Sequence, residues 1–371
     1  MNSNNLNIIF LNLLKKQIGG SYLSNLDFMK DLHCIAGTKI QEILILDEIW
    51  ETRRFHNSLN VKNRKILFYP TWDSKSIPNN DDIRKLSNFI KGTFNGNGYS
   101  KNVLVLGHES LLWVAPFFSN SGKIYKIITL HHGTPTHSLH ELSDSFRHSF
   151  LSNLKAVNIA ITVSDHLAKQ ILGFYDLLCM TIPNYPRIEV SKKIIQFNGR
   201  IRLIQISTFR KIKRPYDGIR ICQNIKKKGI DVSLLIIGFG ENSKELMLPN
   251  NLDIAVVPYL ERTELSKHIA QSDFLILPSM NEGHPRVVVE AMQCGTPPVV
   301  SKGANKSNFV KHRKNGLVYE ALNVFEAADL LIEYYLDAKK YISLIENGEI
   351  SVENLYQERE QRLRKLIKGI I

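Results

Sequence analysis

The sequence predicts an α/β protein made of two doubly wound parallel sheets, one in each half of the chain. Short Ile/Val/Leu-rich runs recur along the whole length, amphipathic stretches separate them, and a proline-marked break divides them into two sets.

The first set is Asn7–Leu11, Glu42–Leu46, Lys65–Tyr69, Asn102–Leu106, Ile124–Leu130 and Ile159–Val163. The second is Ile201–Ile206, Val232–Gly238, Leu252–Val256, Asp273–Leu277 and Pro298–Ser301. Most of these runs do not alternate polar with apolar, the pattern of strands buried on both faces. Leu23–Leu32, Pro215–Lys228, Glu264–Gln271 and Arg286–Gln293 read as helices between them. The break is Pro183-Asn184-Tyr185-Pro186, followed by the basic stretch Glu189–Lys193. The expected division is residues 1–188, residues 189–350, and a C-terminal segment 351–371. Its charged amphipathic helix, from Val352, has no strand after it.

Composition agrees with two globular domains. There are 371 residues, 43% hydrophobic and 22% charged, which excludes a mostly disordered chain. Net charge is +13, with +5 up to residue 190 and +8 beyond it, and the sequence pI is about 9.4. A basic excess spread over both halves suits a phosphate-bearing ligand, an anionic membrane face or nucleic acid, and does not choose among them. The four cysteines, Cys34, Cys179, Cys222 and Cys294, form no CxxC pair and are expected to be buried reduced thiols of a cytosolic protein. The segment Met1–Gly20 lacks the pattern of a secretory signal, its lysines following the apolar run. The longest apolar run elsewhere, Leu111–Phe118, contains Pro116 and is far short of the roughly 20 residues of a membrane span. Any membrane contact is therefore expected to be peripheral.

Chemistry concentrates where strands end. In Asp273–Met292 an apolar strand runs to Pro278, a loop carries Glu282 and Gly283, and a helix opens near Pro285. A loop at a strand's carboxyl end and a helix N-terminus is where open α/β sheets bind ligands and where backbone N–H groups attract phosphate. Glu282 projects from the loop and Glu290 from the second helical turn, as acceptors for vicinal sugar hydroxyls. A second such junction, Ile206–Pro215, holds Arg210, Lys211, Lys213 and Arg214. Arginine offers a diphosphate a planar fork and lysine a point charge. A third, Ile127–Pro135, ends in His131-His132-Gly133, and a fourth, Gln17–Ser21, carries the paired Gly19-Gly20.

The Glu282–Glu290 spacing, with Gly283, His284, Pro285 and Arg286 between, resembles the E-x7-E signature of retaining glycosyltransferases of family 4. Cys294–Ser301 and Leu235–Gly240 resemble the same family's following turn and its strand-plus-glycine turn. Ile161–Ser164 and Ile182–Asn184 resemble the last strands of its first domain. The resemblance is strong over Ile201–Ser301, moderate over Thr129–Asn184 and faint over Lys30–Lys101. It implies a GT-B fold, two Rossmann-like domains facing across a cleft, with the C-terminal helix crossing back to the first. It implies that Glu282 contacts the donor sugar and Glu290 the ribose hydroxyls. Arg210 and Lys213 clamp the donor phosphates, with Lys211 or Arg214 as alternatives for the second cation. A histidine of the first domain, His132 or else His131, approaches the sugar. Gly19 and Gly20 lie beneath the phosphates, and Gly283 to Arg286 line the donor.

The implied reaction moves a sugar from a nucleotide diphosphate with retention of configuration. No metal or other cofactor is implied, and no DxD triplet is present; the nucleotide-diphosphate sugar is a co-substrate. The basic excess and the lack of a spanning helix direct the acceptor toward a lipid-linked or membrane-borne saccharide at the inner face of an anionic membrane. Bacterial lipopolysaccharide, O-antigen or other surface polysaccharide fits. Arg53, Arg54, Lys62, Arg64 and Lys65, beside Trp50 and Phe55, are the expected membrane-facing group. The competing readings are a basic nucleic-acid-binding protein and another GT-B enzyme such as a sugar-nucleotide epimerase. Scattered basic residues and the lack of a recognition motif weigh against nucleic acid as a partner.

Overall fold

The computed structural model describes residues 6–14, 20–37, 39–46, 64–69, 77–94, 101–119, 126–133, 143–191, 193–238 and 248–370. The chain divides into two compact units, residues 1–183 with 359–371, and residues 184–358.

The first unit holds a seven-stranded sheet: β1 (Leu6–Leu14), β2 (Lys39–Leu46), β3 (Arg64–Phe68), β4 (Lys101–Leu106), β5 (Lys126–His131), β6 (Ile159–Thr162) and β7 (Cys179–Thr181). The order is β3-β2-β1-β4-β5-β6-β7, parallel throughout. Parallel neighbours need crossovers, and α1 (Gly20–Ala36), α2 (Asn80–Phe94), α3 (Asp144–Leu154) and α4 (Asp165–Tyr175) supply four of them. Successive side chains of a strand face opposite ways, so each central strand feeds two cores. Ile8 and Phe10 pack with Leu26, Met29 and Leu32 of α1. Ile9 and Leu11 pack with Leu86 and Ile90 of α2. The run Leu111–Phe118 lies largely in a buried 3₁₀ segment, Glu109–Phe117.

The second unit repeats the design with β8 (Arg200–Ile206), β9 (Asp231–Ile237), β10 (Asp253–Val257), β11 (Phe274–Leu277), β12 (Pro298–Ser301) and β13 (Leu317–Tyr319). The order is β10-β9-β8-β11-β12-β13, again parallel. One face packs against α5 (Pro215–Lys227) and α8 (Val324–Leu336), through Cys222, Ile225, Ala327 and Leu331. The other packs against α6 (Arg262–Gln271) and α7 (Arg286–Gln293), through Ile269, Val288 and Met292. In both sheets the order reverses beside the first strand of the unit, between β1 and β4 and between β8 and β11. Neighbouring loops there run to opposite faces, and open α/β sheets bind ligands at such points.

Several sequence expectations are corrected. β13 was not anticipated, and β7 is Cys179–Thr181, just before the Ile182–Asn184 expected for the last strand; three residues each give too short a period to read. The C-terminal helix is α9, Ala338–Ile370, 33 residues rather than a segment from Val352. Cys34 is exposed and Cys179 half-buried, so burial of the thiols holds for Cys222 and Cys294 only. Arg64 is not a surface anchor: its side chain is 8% exposed and its guanidinium is bonded to the fully buried Glu42 at 2.6 Å. Lys65 is exposed, with its ammonium 5.2 Å from the Phe89 ring centre. Arg53, Arg54, Lys62, Trp50 and Phe55 lie outside the described residues. No helix among those described is long and apolar enough to cross a membrane.

The end of α9 is fastened within the first unit by charge as well as by Leu363, Leu366 and Ile370. Arg359 donates to Asp31 of α1 at 2.7 Å, both side chains 4% exposed, and also to the Pro183 carbonyl. Removing one partner of a buried pair leaves the other charge desolvated without compensation. Asp31→Ala should therefore lower unfolding stability by about 3–5 kcal/mol. Asp31→Ala/Arg359→Met should recover much of that loss in urea denaturation, because both charges are gone.

Candidate functional site

In the second unit the site is assembled where strand order reverses. β8 runs into a turn whose residues Lys211–Lys213 form one 3₁₀ turn, and α5 then begins at Pro215. Pro suits a first helical position because its missing N–H has no partner to lose there. Arg214, just before it, holds a left-handed φ of 53°, unusual for a side chain with a Cβ. It is locked by a two-pronged pair with the buried Asp217, both contacts 2.9 Å. That carboxylate hydrogen bond, set against partial burial, raises the guanidinium pKa above its ordinary value.

The neighbouring loop follows β11. Its Met280 N–H donates to the Ile212 carbonyl at 2.8 Å, joining the two loops through backbone. A third strand end supports them. Ser301 of β12 donates to the Ser279 carbonyl at 2.5 Å and accepts from Ala304 N–H at 3.0 Å. Gly303 comes so close that a Cβ there would lie 2.4 Å from the Met280 carbonyl oxygen. The backbone presenting Glu282 is thus held from both sides.

Across this junction Lys213 and Glu282 form an ion pair at 2.5 Å, their side chains 16% and 14% exposed. An ammonium has three donors and Glu282 a second oxygen, so the pair retains capacity for an anion on one side and hydroxyls on the other. Arg210 is exposed, and its guanidinium donates to the Thr208 hydroxyl at 3.2 Å. Lys211 is exposed as well. Of the four cations in this turn, the fold therefore brings Lys213 to Glu282 and commits Arg214 to the start of α5.

α7 opens after Pro285. Its Arg286 and Glu290, one turn apart, are both buried and meet at 3.4 Å. Gly283 is half-buried in the loop. The His284 side chain is buried, its ring 5.3 Å from that of Phe309, and its carbonyl accepts from Asn184 at 2.9 Å. The histidine ring packs inward and pins the loop rather than lining an open surface.

The first unit supplies the paired histidines at the end of β5. His131 is fully buried between the Thr129 hydroxyl at 2.9 Å and Glu109 at 3.1 Å. Burial pushes the Glu109 carboxyl up, but the hydrogen bond and charge of His131 outweigh it and leave it below its usual value. His132 is half-buried at the strand end, and its Nε2 lies 2.7 Å from Asn25 Oδ1. Of the two, His132 is the ring nearer the surface. Gly20 is exposed at the first position of α1, and Gly19 lies outside the described residues. Sequence reasoning missed Asn12, Asn25 and Glu42, which are buried and hydrogen-bonded in a row that ends on His132. The signal was present: Asn12 and Glu42 fall within predominantly apolar strands, and a buried polar group requires a partner.

The chain is similar to known proteins. Residues 187–350 match the family model described as "Glycosyl transferases group 1". N-acetyl-alpha-D-glucosaminyl L-malate synthase of Bacillus anthracis is 30% identical over 159 residues, 42% of this chain and 41% of that protein. Protein CapJ of Staphylococcus aureus is 26% identical over 194 residues, 49% of each. The chain thus spans less than half the length of these curated relatives. Among solved structures, sucrose-phosphate synthase of Thermosynechococcus elongatus superposes with a TM-score of 0.75 at 14% identity, covering 98% of both chains. HepE of Anabaena, in complex with UDP and glucose, gives 0.73 at 14%, covering 98% of this chain and 99% of its own. The lipopolysaccharide outer core galactosyltransferase WaaB gives 0.70 at 14%, covering 98% and 100%. At these identities the likeness establishes the fold, which is GT-B: two parallel-sheet, Rossmann-like domains.

The Lys213–Glu282 contact makes a stability prediction. Lys213→Met leaves a largely buried carboxylate unpaired and should cost about 3 kcal/mol, whereas Lys213→Met/Glu282→Leu should cost markedly less. Equal losses in both, measured by urea denaturation, would show that the two side chains are not coupled.

Proposed function

We propose that this chain is a retaining glycosyltransferase of the E-x7-E type, family 4. It transfers a hexose from a nucleotide-diphosphate donor to a saccharide acceptor. The observation that carries the reading is the Lys213–Glu282 ion pair across the strand-order reversal, inside the segment that matches the group 1 model. In this reading the second unit binds the donor and the first presents the acceptor.

The chemical demand is negative charge growing on the diphosphate as the glycosidic C–O bond breaks. Fixed positive groups answer it best when their position costs no reorganisation during the reaction. Lys213 is such a group, because Glu282 and the Met280–Ile212 backbone bond hold it in place. Arg210, exposed on the same turn, closes on the phosphates from its Thr208 contact. The N-terminus of α7, beside Gly283 and Pro285, adds backbone dipole. Together these cations supply the charge stabilisation that a bound metal provides elsewhere. Glu282 accepts hydroxyl protons of the sugar, and Glu290, aimed by Arg286, accepts those of the ribose. His132 contacts the sugar from the first unit. The acceptor hydroxyl attacks on the face the diphosphate leaves; its proton passes to the departing phosphate oxygen and the anomeric configuration is kept.

The acceptor is a lipid-linked or membrane-borne saccharide, as in lipopolysaccharide synthesis, and the enzyme works at the cytoplasmic face of an anionic membrane. The net charge of +13 and the name of the structural neighbour WaaB support this.

Thermal unfolding with UDP-, GDP- and ADP-sugars tests the donor site. The cognate donor at about 100 times its Kd should add about 2.7 kcal/mol of stability. Lys213→Ala should abolish that shift and lower kcat by roughly a hundredfold to a thousandfold. A chain that none of these donors stabilises and that turns none of them over would refute the proposal. NMR of the purified glycoside should show the donor's anomeric configuration, and an inverted product would exclude the retaining mechanism.

A further inference from the structure

A file of side-chain hydrogen bonds crosses the interior of the first unit and ends on His132. It begins at Glu42 of β2, which is fully buried and paired with Arg64 at 2.6 Å. Tyr22 reinforces that end, donating to Glu42 at 3.2 Å and accepting from Arg64 at 2.9 Å. A carboxylate held by a guanidinium accepts and does not donate, so Asn12 turns its amide nitrogen toward Glu42, at 2.7 Å. The Asn12 oxygen consequently faces the other way and accepts from Asn25 Nδ2 at 2.8 Å. The same Asn25 nitrogen donates to the Gly107 carbonyl at 2.9 Å. A carbonyl cannot donate, so the Asn25 amide cannot be reversed without placing oxygen against oxygen.

Asn25 Oδ1 is thereby directed at His132 Nε2, 2.7 Å away. An acceptor at that distance requires the ring proton to sit on Nε2. The site is also built for the amide pair. A Cβ on residue 107 would fall 2.3 Å from Asn12 Oδ1 and 2.5 Å from Asn25 Nδ2, so glycine leaves the space in which the two amides meet. The amide pair and Gly107 lie where strand order reverses between β1 and β4.

We propose that Asn25 is a positioning residue: it holds the His132 ring in one orientation with the proton on Nε2. The consequence for turnover rests on the reading above that His132 contacts the sugar; the state of the ring does not.

The test separates the two. With ¹⁵N-labelled imidazoles, the His132 signal, identified by its loss in His132→Gln, should show an Nε2-bound proton in slow exchange with water. A proton on Nδ1, or an averaged mixture of tautomers, in the wild-type protein overturns the proposal without recourse to any variant. Asn25→Leu keeps the volume but offers no acceptor. It should release the Nε2 proton to fast exchange and lower kcat about tenfold to a hundredfold, with little change in the donor KM. Unchanged proton protection in Asn25→Leu also overturns it. Full turnover in His132→Gln instead removes His132 from the sugar site while the spectrum still reports what Asn25 does.

Discussion

A parallel strand cannot return through a hairpin, so each step between neighbours carries a crossover over one face of the sheet. When the winding changes direction beside the first strand of a unit, two adjacent loops must part toward opposite faces. The carboxyl ends of the strands are then left uncovered between them. Both units meet this constraint, at β8/β11 and at β1/β4, and in both the polar chemistry gathers there. Lys213 and Glu282 occupy one reversal; Asn12, Asn25 and Gly107 occupy the other, with His132 at the end of the adjoining β5.

The two sites are stabilised differently. In the second unit a mostly buried ion pair is held by backbone: the Met280–Ile212 hydrogen bond, the Ser301 side chain and the close approach of Gly303. In the first unit neutral amides carry the polarity inward from Glu42, and the Glu42–Arg64 pair anchors the far end. Buried polar groups are costly when half-satisfied; the amide file uses its donors and acceptors internally, whereas the Lys213–Glu282 pair keeps capacity for a ligand. A preorganised site gains from this rigidity, because its charges need not be gathered when substrate arrives.

Much of this was legible in the sequence. Every strand read from an apolar run is present; the central ones are apolar because both faces are buried, while the edge strands β3 and β10 are partly exposed. The helices beginning at Pro215 and after Pro285 were legible from their prolines. Glu282 and Glu290 were singled out by spacing within one local segment; Glu290 meets Arg286 inside that segment, whereas the partner of Glu282 lies outside it. What was misread shares a cause. Arg64 looked like part of a basic surface cluster, yet it is sequestered by Glu42, a residue 22 positions away. β7 and β13 are too short to carry a period.

The sequence by itself determined which segments are strands and helices, and that strand ends carry the carboxylates, cations and histidines, because periodicity and helix-start chemistry are local. Only the tertiary structure decided which groups meet. Lys213, rather than Arg210, Lys211 or Arg214, reaches Glu282 across 69 residues of chain, and Asn25 meets the Gly107 carbonyl across 82. It likewise buried His131 and left His132 at the strand end. Such choices depend on the order in which strands pair, and no window of sequence short enough to be read by periodicity contains both partners.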